Sequence, residues 1–344
     1  MGEYRPKRLK VRVEEIELKN YQKDNSNIIG GNWTFLALKN PKSFLIGTKG
    51  YGLKLIDNGF QVYTSAVTNA TFTSLLGMIY IETKDYYLMG YNGKIYRKNI
   101  DSKDPYLFID LKIGVRIGAC FRFSKLNNRL ITIREKHWIS MVDLETKTVD
   151  AEIKNLRVQS IWDFKIFDEK EKSVISVTKG GLIEIFKMNY LTQGGYTIDH
   201  HDLELNRSME TASSLAVCVK SRNVLVLIKN LVSSNSTRMV IFELNKRRLI
   251  MNAQLSLEGE RIPEQFSLDC HTYAGQKILW VGLSTTRYGS VHVYEYDTQS
   301  SELRELSSTR AAHKEIDPVS FHRHRNWYYY TGSLGKLMRF KLKM

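Results

Sequence analysis

The sequence predicts an all-β fold, a ring of seven four-stranded antiparallel blades closed by an N-terminal strand, on three observations. Strand-like alternation runs along the 344 residues with almost no helical periodicity. A short turn followed by an apolar strand recurs seven times, as repeat architectures require. The chain also stops three strands into its last blade, while the Val11, Val13, Ile16, Leu18 alternation near its start has no local partner.

The repeating unit is clearest at Gly52-Leu53-Lys54-Leu55-Ile56-Asp57, Gly93-Lys94-Ile95-Tyr96, Trp138-Ile139-Ser140-Met141-Val142-Asp143 and Gly181-Leu182-Ile183-Glu184-Ile185-Phe186. It continues at Met239-Val240-Ile241-Phe242-Glu243, Ser290-Val291-His292-Val293-Tyr294 and Gly335-Lys336-Leu337-Met338-Arg339-Phe340. Counted from Leu53, Ile95, Trp138, Leu182, Met239, Val291 and Leu337, the intervals are 42, 43, 44, 57, 52 and 46 residues. Most lie near the blade period of about 40–45. The two long intervals are assigned to surface insertions at 189–199, at 230–238 and at 285–290.

These units place one domain over 1–344, with blades at 32–66, 70–111, 116–154, 158–205, 213–257, 264–308 and 317–344 and a closing strand at 8–20. In the third blade the strands are 118–124, 129–134, 138–144 and 149–154; in the fifth they are 214–219, 224–228, 239–244 and 249–255. In the last blade 319–322, 327–331 and 336–342 are separated by turns at Arg325-Asn326 and at Gly332-Ser333-Leu334-Gly335. The N-terminal strand is expected to supply the fourth, because an incomplete blade would leave an open sheet edge.

Composition narrows the setting. A chain of this length buries a full core without covalent staples. Cys120, Cys218 and Cys270 are odd in number and far apart, which predicts reduced, buried thiols in a reducing compartment. No apolar run approaches membrane-spanning length and no secretory leader is recognisable, so the expected location is cytoplasmic. The formal charge of +15 points to an acidic partner surface.

The last blade carries a family resemblance. His313, then Val319-Ser320-Phe321, then Thr331-Gly332-Ser333 and the following strand keep the order of loop histidine, inner strand, second strand and third strand. On these residues the chain resembles a degenerate WD40-type seven-bladed β-propeller. The family's Trp-Asp pair survives only as Ile56-Asp57, Val142-Asp143, Phe242-Glu243 and Phe340-Lys341, and its Gly-His dipeptide is missing. The resemblance implies a non-catalytic scaffold or adaptor subunit that binds other proteins through face loops.

Catalytic signatures are missing from the sequence: there is no Gly-x-Ser-x-Gly, P-loop, His-Glu-x-x-His or Cys-x-x-Cys. No cofactor is expected. Residues 199–204, Asp-His-His-Asp-Leu-Glu, are the densest potential ligand cluster, but strand alternation splits them between two faces, which reads as a solvated outer strand. The cations are more informative. Lys49, Lys94, Lys136, Lys179, Arg238, Arg287 and Lys336 fall once per blade in or beside the turn between second and third strands. In a WD40-like ring these turns share one face, so a positive ring for acidic proteins or peptides is expected there, with RNA or anionic lipid as the alternative ligand. A second basic group, Arg5, Lys7, Arg8, Lys10 and Arg12, is expected to lie against Arg339, Lys341 and Lys343, where like charges on adjacent strands repel.

Overall fold

The computed structural model describes residues 9–16, 34–40, 43–48, 52–56, 62–64, 75–91, 94–99, 106–110, 121–124, 128–134, 138–157, 159–168, 173–189, 194–206, 208–232, 236–245, 248–258, 267–273, 277–284, 290–310, 322–331 and 337–343. Among these residues every regular element is a strand. The N-terminal strand is β1 (Lys10–Ile16), followed by a sheet of β2 (Thr34–Asn40), β3 (Ser43–Thr48), β4 (Gly52–Ile56) and β5 (Val62–Thr64). The next sheets are β6 (Leu75–Ile81), β7 (Tyr86–Tyr91), β8 (Lys94–Asn99) and β9 (Tyr106–Asp110), then β10 (Phe121–Ser124), β11 (Arg129–Arg134), β12 (Trp138–Asp143) and β13 (Val149–Lys154). A fourth holds β14 (Ile161–Asp168), β15 (Ser173–Thr178), β16 (Leu182–Asn189) and β17 (Gly194–Asp202), and a fifth β18 (Glu210–Cys218), β19 (Asn223–Asn230), β20 (Ser236–Asn245) and β21 (Arg248–Glu258). The sixth is β22 (Ser267–Tyr273), β23 (Lys277–Ser284), β24 (Ser290–Asp297) and β25 (Glu302–Arg310). The last combines β26 (His322–His324), β27 (Trp327–Thr331) and β28 (Leu337–Lys343) with β1.

The architecture is a β-propeller of small antiparallel sheets. Each sheet is a meander in chain order, apart from the last, where β1 pairs antiparallel with β28 from Lys10↔Lys343 to Ile16↔Leu337. On its other side that last sheet meets the first, with β2 lying against β26 and β27.

Local backbone choices make the meanders possible. Asp85, Asn128, Arg222 and Arg325 take positive φ at the hairpin between first and second strands of their sheets, the left-handed conformation that tight connections need. Outer strands carry a recurrent bulge: register shifts leave Phe108, Asp150, Ile198, Asn252 and Leu306 without a residue opposite them. Such bulges increase twist and make an edge a poor template for another strand.

The core lies between sheets. Val224, Val226 and Ile228 pack towards Ile175, Val177 and Ile185 of the fourth sheet. Leu225 and Leu227 turn the other way, onto Ile278, Trp280, Tyr294 and Tyr296 of the sixth. The run Val-Leu-Val-Leu-Ile of β19 is apolar throughout because both of its faces are covered.

Two expectations are corrected here. Cys218 and Cys270 are not thiols: they form a disulfide between β18 and β22, with Cα atoms 5.5 Å apart. Spacing hid the pair, because 52 residues of chain separate positions that neighbouring sheets bring together. The cysteine argument for a reducing compartment therefore falls, and Cys120 lies outside the described residues. The 189–199 insertion is likewise mostly strand, since β16 and β17 pair from Leu182↔Asp202 to Asn189↔Gly194. Gly195 allows this close pairing, as a Cβ there would stand 2.7 Å from the Lys187 carbonyl oxygen.

Candidate interaction surface

The turn between β15 and β16 is clamped from three sides. Gly181 N–H donates to Thr178 O at 3.0 Å, and Leu182 N–H donates to Thr178 Oγ1 at 3.1 Å. Gly181 itself needs to be glycine: its φ is +87°, and a Cβ would meet Leu205 Cγ at 2.7 Å. The Lys179 N–H donates to Ser160 O at 3.0 Å, while the Lys179 carbonyl accepts from Ala212 N at 3.1 Å and from Thr211 Oγ1 at 3.1 Å. A turn of the fourth sheet is thus bonded to the loop before β14 and to β18 of the fifth sheet.

Side chains complete the surface. Lys179 Nζ sits 4.3 Å from the centroid of the Trp162 ring, a cation–π distance, and Trp162 Nε1 donates to Ser213 O at 2.8 Å. Beyond Thr211, Leu231 N–H donates to Met209 O at 2.6 Å, so the loop before β18 and the loop after β19 run side by side. They present Met209, Leu231 and Val232 at 41%, 53% and 72% exposure. Lys179 and these apolar tips form one rim held by backbone hydrogen bonds.

An unusual acid lies on the face of β16 turned towards the third sheet. Glu184 on β16 is fully buried; its Oε1 accepts from Leu156 N at 2.9 Å and its Oε2 has no hydrogen-bond partner. Burial pushes its carboxyl up from the ordinary 4.5 to about 7, opposed by the Leu156 hydrogen bond and by the charge of Arg157.

The seven sequence-predicted cations have different fates. Lys49, Lys136, Arg287 and Lys336 lie outside the described residues. Lys94 opens β8 beside its turn, Arg238 is the third residue of β20, and each meets a carboxylate: Lys94 is 3.7 Å from Asp110 directly across β8 and β9, and Arg238 is 3.1 Å from Glu210. Lys179 stays in an exposed turn, against Trp162. Asp110 was legible as the residue facing Lys94 in a hairpin; Glu210 was not, because it reaches Arg238 from a strand two places away in the sheet.

The 199–204 cluster is spent on structure. Asp199 Oδ2 accepts from Leu249 N at 2.7 Å, the His201 ring meets Phe242 edge-on at 5.0 Å, and Asp202 pairs with Arg157. Among the described residues no three His, Cys, Asp or Glu side chains are grouped to hold a metal. No helix there is long and apolar enough to cross a membrane. No protein-family model matches the chain, and no characterised protein matches it.

Proposed function

We propose that this protein is a non-catalytic scaffold or adaptor of the WD40 kind, its seven sheets closing into a ring through β1, and that it binds a partner protein at the rim of the fourth and fifth sheets. The observation that carries this is the exposure of Met209, Leu231 and Val232 beside Lys179 on loops fixed by hydrogen bonds. Rigid loops lose little entropy on binding, and an apolar cluster next to a cation suits a segment with a hydrophobic anchor and an acidic neighbour. A cytoplasmic setting belongs to the same proposal, with the Cys218 end of the disulfide sheltered by burial.

The test is Leu231→Ser with Val232→Ser and Lys179→Gln, using the partner first identified by mass spectrometry on native complexes. Burying two such side chains is worth roughly 2 kcal/mol each, so the triple variant should bind at least a hundredfold more weakly. Lys94→Gln should bind normally, because Lys94 is already matched by Asp110. Unaltered binding by a folded triple variant would remove this surface from consideration.

A further inference from the structure

The geometry points to a second binding site, for single-stranded nucleic acid, along the outer strand pair β1–β28 of the last sheet, on the face turned away from the sixth sheet. Alternation divides the β1–β28 pair cleanly. Val11, Val13, Phe340 and Leu342 pack towards the sixth sheet. The opposite face therefore carries Lys10, Arg12 and Glu14 from β1 with Arg339, Lys341 and Lys343 from β28. Two like-charge pairs stand directly across from one another, Lys10↔Lys343 and Arg12↔Lys341. Such pairs are destabilising in a free sheet. Among the described residues of this strand pair, five cations share the side with one carboxylate, Glu14, which Arg12 and Arg339 share at 2.6 and 2.7 Å. The Trp327 ring holds Arg339 at 4.2 Å and Lys341 at 4.5 Å.

The ordinary reading of lysines on an edge strand is protection against aggregation. That accounts for cations on β1 but not for the three on β28, which is paired on both sides. The ladder instead offers positive charge at every second residue along two adjacent strands, a spacing of about 6.8 Å along each. A flexible phosphodiester strand adapts to such a track. Arg12 and Arg339 keep 54% and 33% of their side chains exposed, within reach of the phosphates of a single strand. Arg5, Lys7 and Arg8 precede β1 in the sequence and lie outside the described residues.

The experiment is fluorescence anisotropy with labelled 20-nucleotide mixed-sequence RNA and DNA single strands over a potassium chloride series. Five phosphate contacts predict a slope of log affinity against log salt of about −3.5. Arg12→Gln with Lys341→Gln should flatten it by about 1.4 and lower affinity on the order of tenfold near 0.1 M salt. Lys84→Gln with Lys147→Gln, which removes the same charge from other sheets, should change neither. RNA and DNA bound alike indicate recognition of the shared phosphodiester backbone; preference for RNA adds a contact to the 2′-hydroxyl. Wild-type binding without salt dependence, an equal loss in the control pair, or capture only by vesicles with about 30% phosphatidylserine would overturn the proposal. The rim variant above should leave the slope intact, which separates this site from the protein-binding one.

Discussion

Arg339 donates to Glu14 from Nε and Nη2 at 2.8 and 2.7 Å, joining residues 325 positions apart in the chain. This contact belongs to the outermost strand pair of the last sheet and settles how the opposed cations coexist. Glu14 takes two arginines, the face of the Trp327 ring takes Lys341 beside Arg339, and Lys10 and Lys343 are exposed.

Glu14→Gln should therefore destabilise the protein by about 1 kcal/mol, more at low salt, since it leaves Arg12 and Arg339 without their carboxylate. A double-mutant cycle with Arg339→Gln should give a coupling of about 0.5–1 kcal/mol in chemical denaturation. Removing residues 1–16 altogether should expose β28 and cause aggregation, read by light scattering. A stable monomer after that deletion would show that β1 is dispensable.

The disulfide makes a counting prediction. Denatured without reductant, the chain should show one reactive thiol, that of Cys120, and after reduction three. Cys218→Ser should lower stability by about 2–4 kcal/mol, because a loop closed over 52 residues no longer restricts the unfolded chain. Three thiols in unreduced protein would show that the bond does not form.

Gly181 tests the rim turn. Gly181→Ala combines a left-handed backbone cost of about 1 kcal/mol with the approach to Leu205, so the loss should reach roughly 2–3 kcal/mol by urea denaturation. A neutral effect would mean that the turn readily takes up another conformation.

Glu184 should make stability depend on pH. Its folded-state value of about 7 lies above the ordinary 4.5, so the native state binds the extra proton within that window. Stability contributed by this group is then full below about pH 4.5 and lost as pH rises through 7, a change of roughly 2–3 kcal/mol. Glu184→Gln should flatten that part of the profile and raise the melting temperature at pH 8. Arg157 is the charged neighbour to control for, and His200 lies opposite Glu184 across the strand pair. An identical pH profile in the variant would sink the assignment.

Much of the architecture was written into local pattern. The third sheet shows it: residues 129–134 and 149–154 were predicted as strands and are β11 and β13, because alternation and turn residues act over a few positions. The same holds for β27 and for the pairing expected of the N-terminal strand with the end of the chain. What the sequence by itself determined was which segments are strands and which faces are apolar, since both follow from side-chain period and backbone preference. Tertiary structure alone decided that Cys218 would meet Cys270, that Glu210 would neutralise Arg238, and that Met209 would lie beside Leu231. Those meetings join different sheets or different strands of one sheet, and their distances depend on how the sheets pack, which no local period encodes.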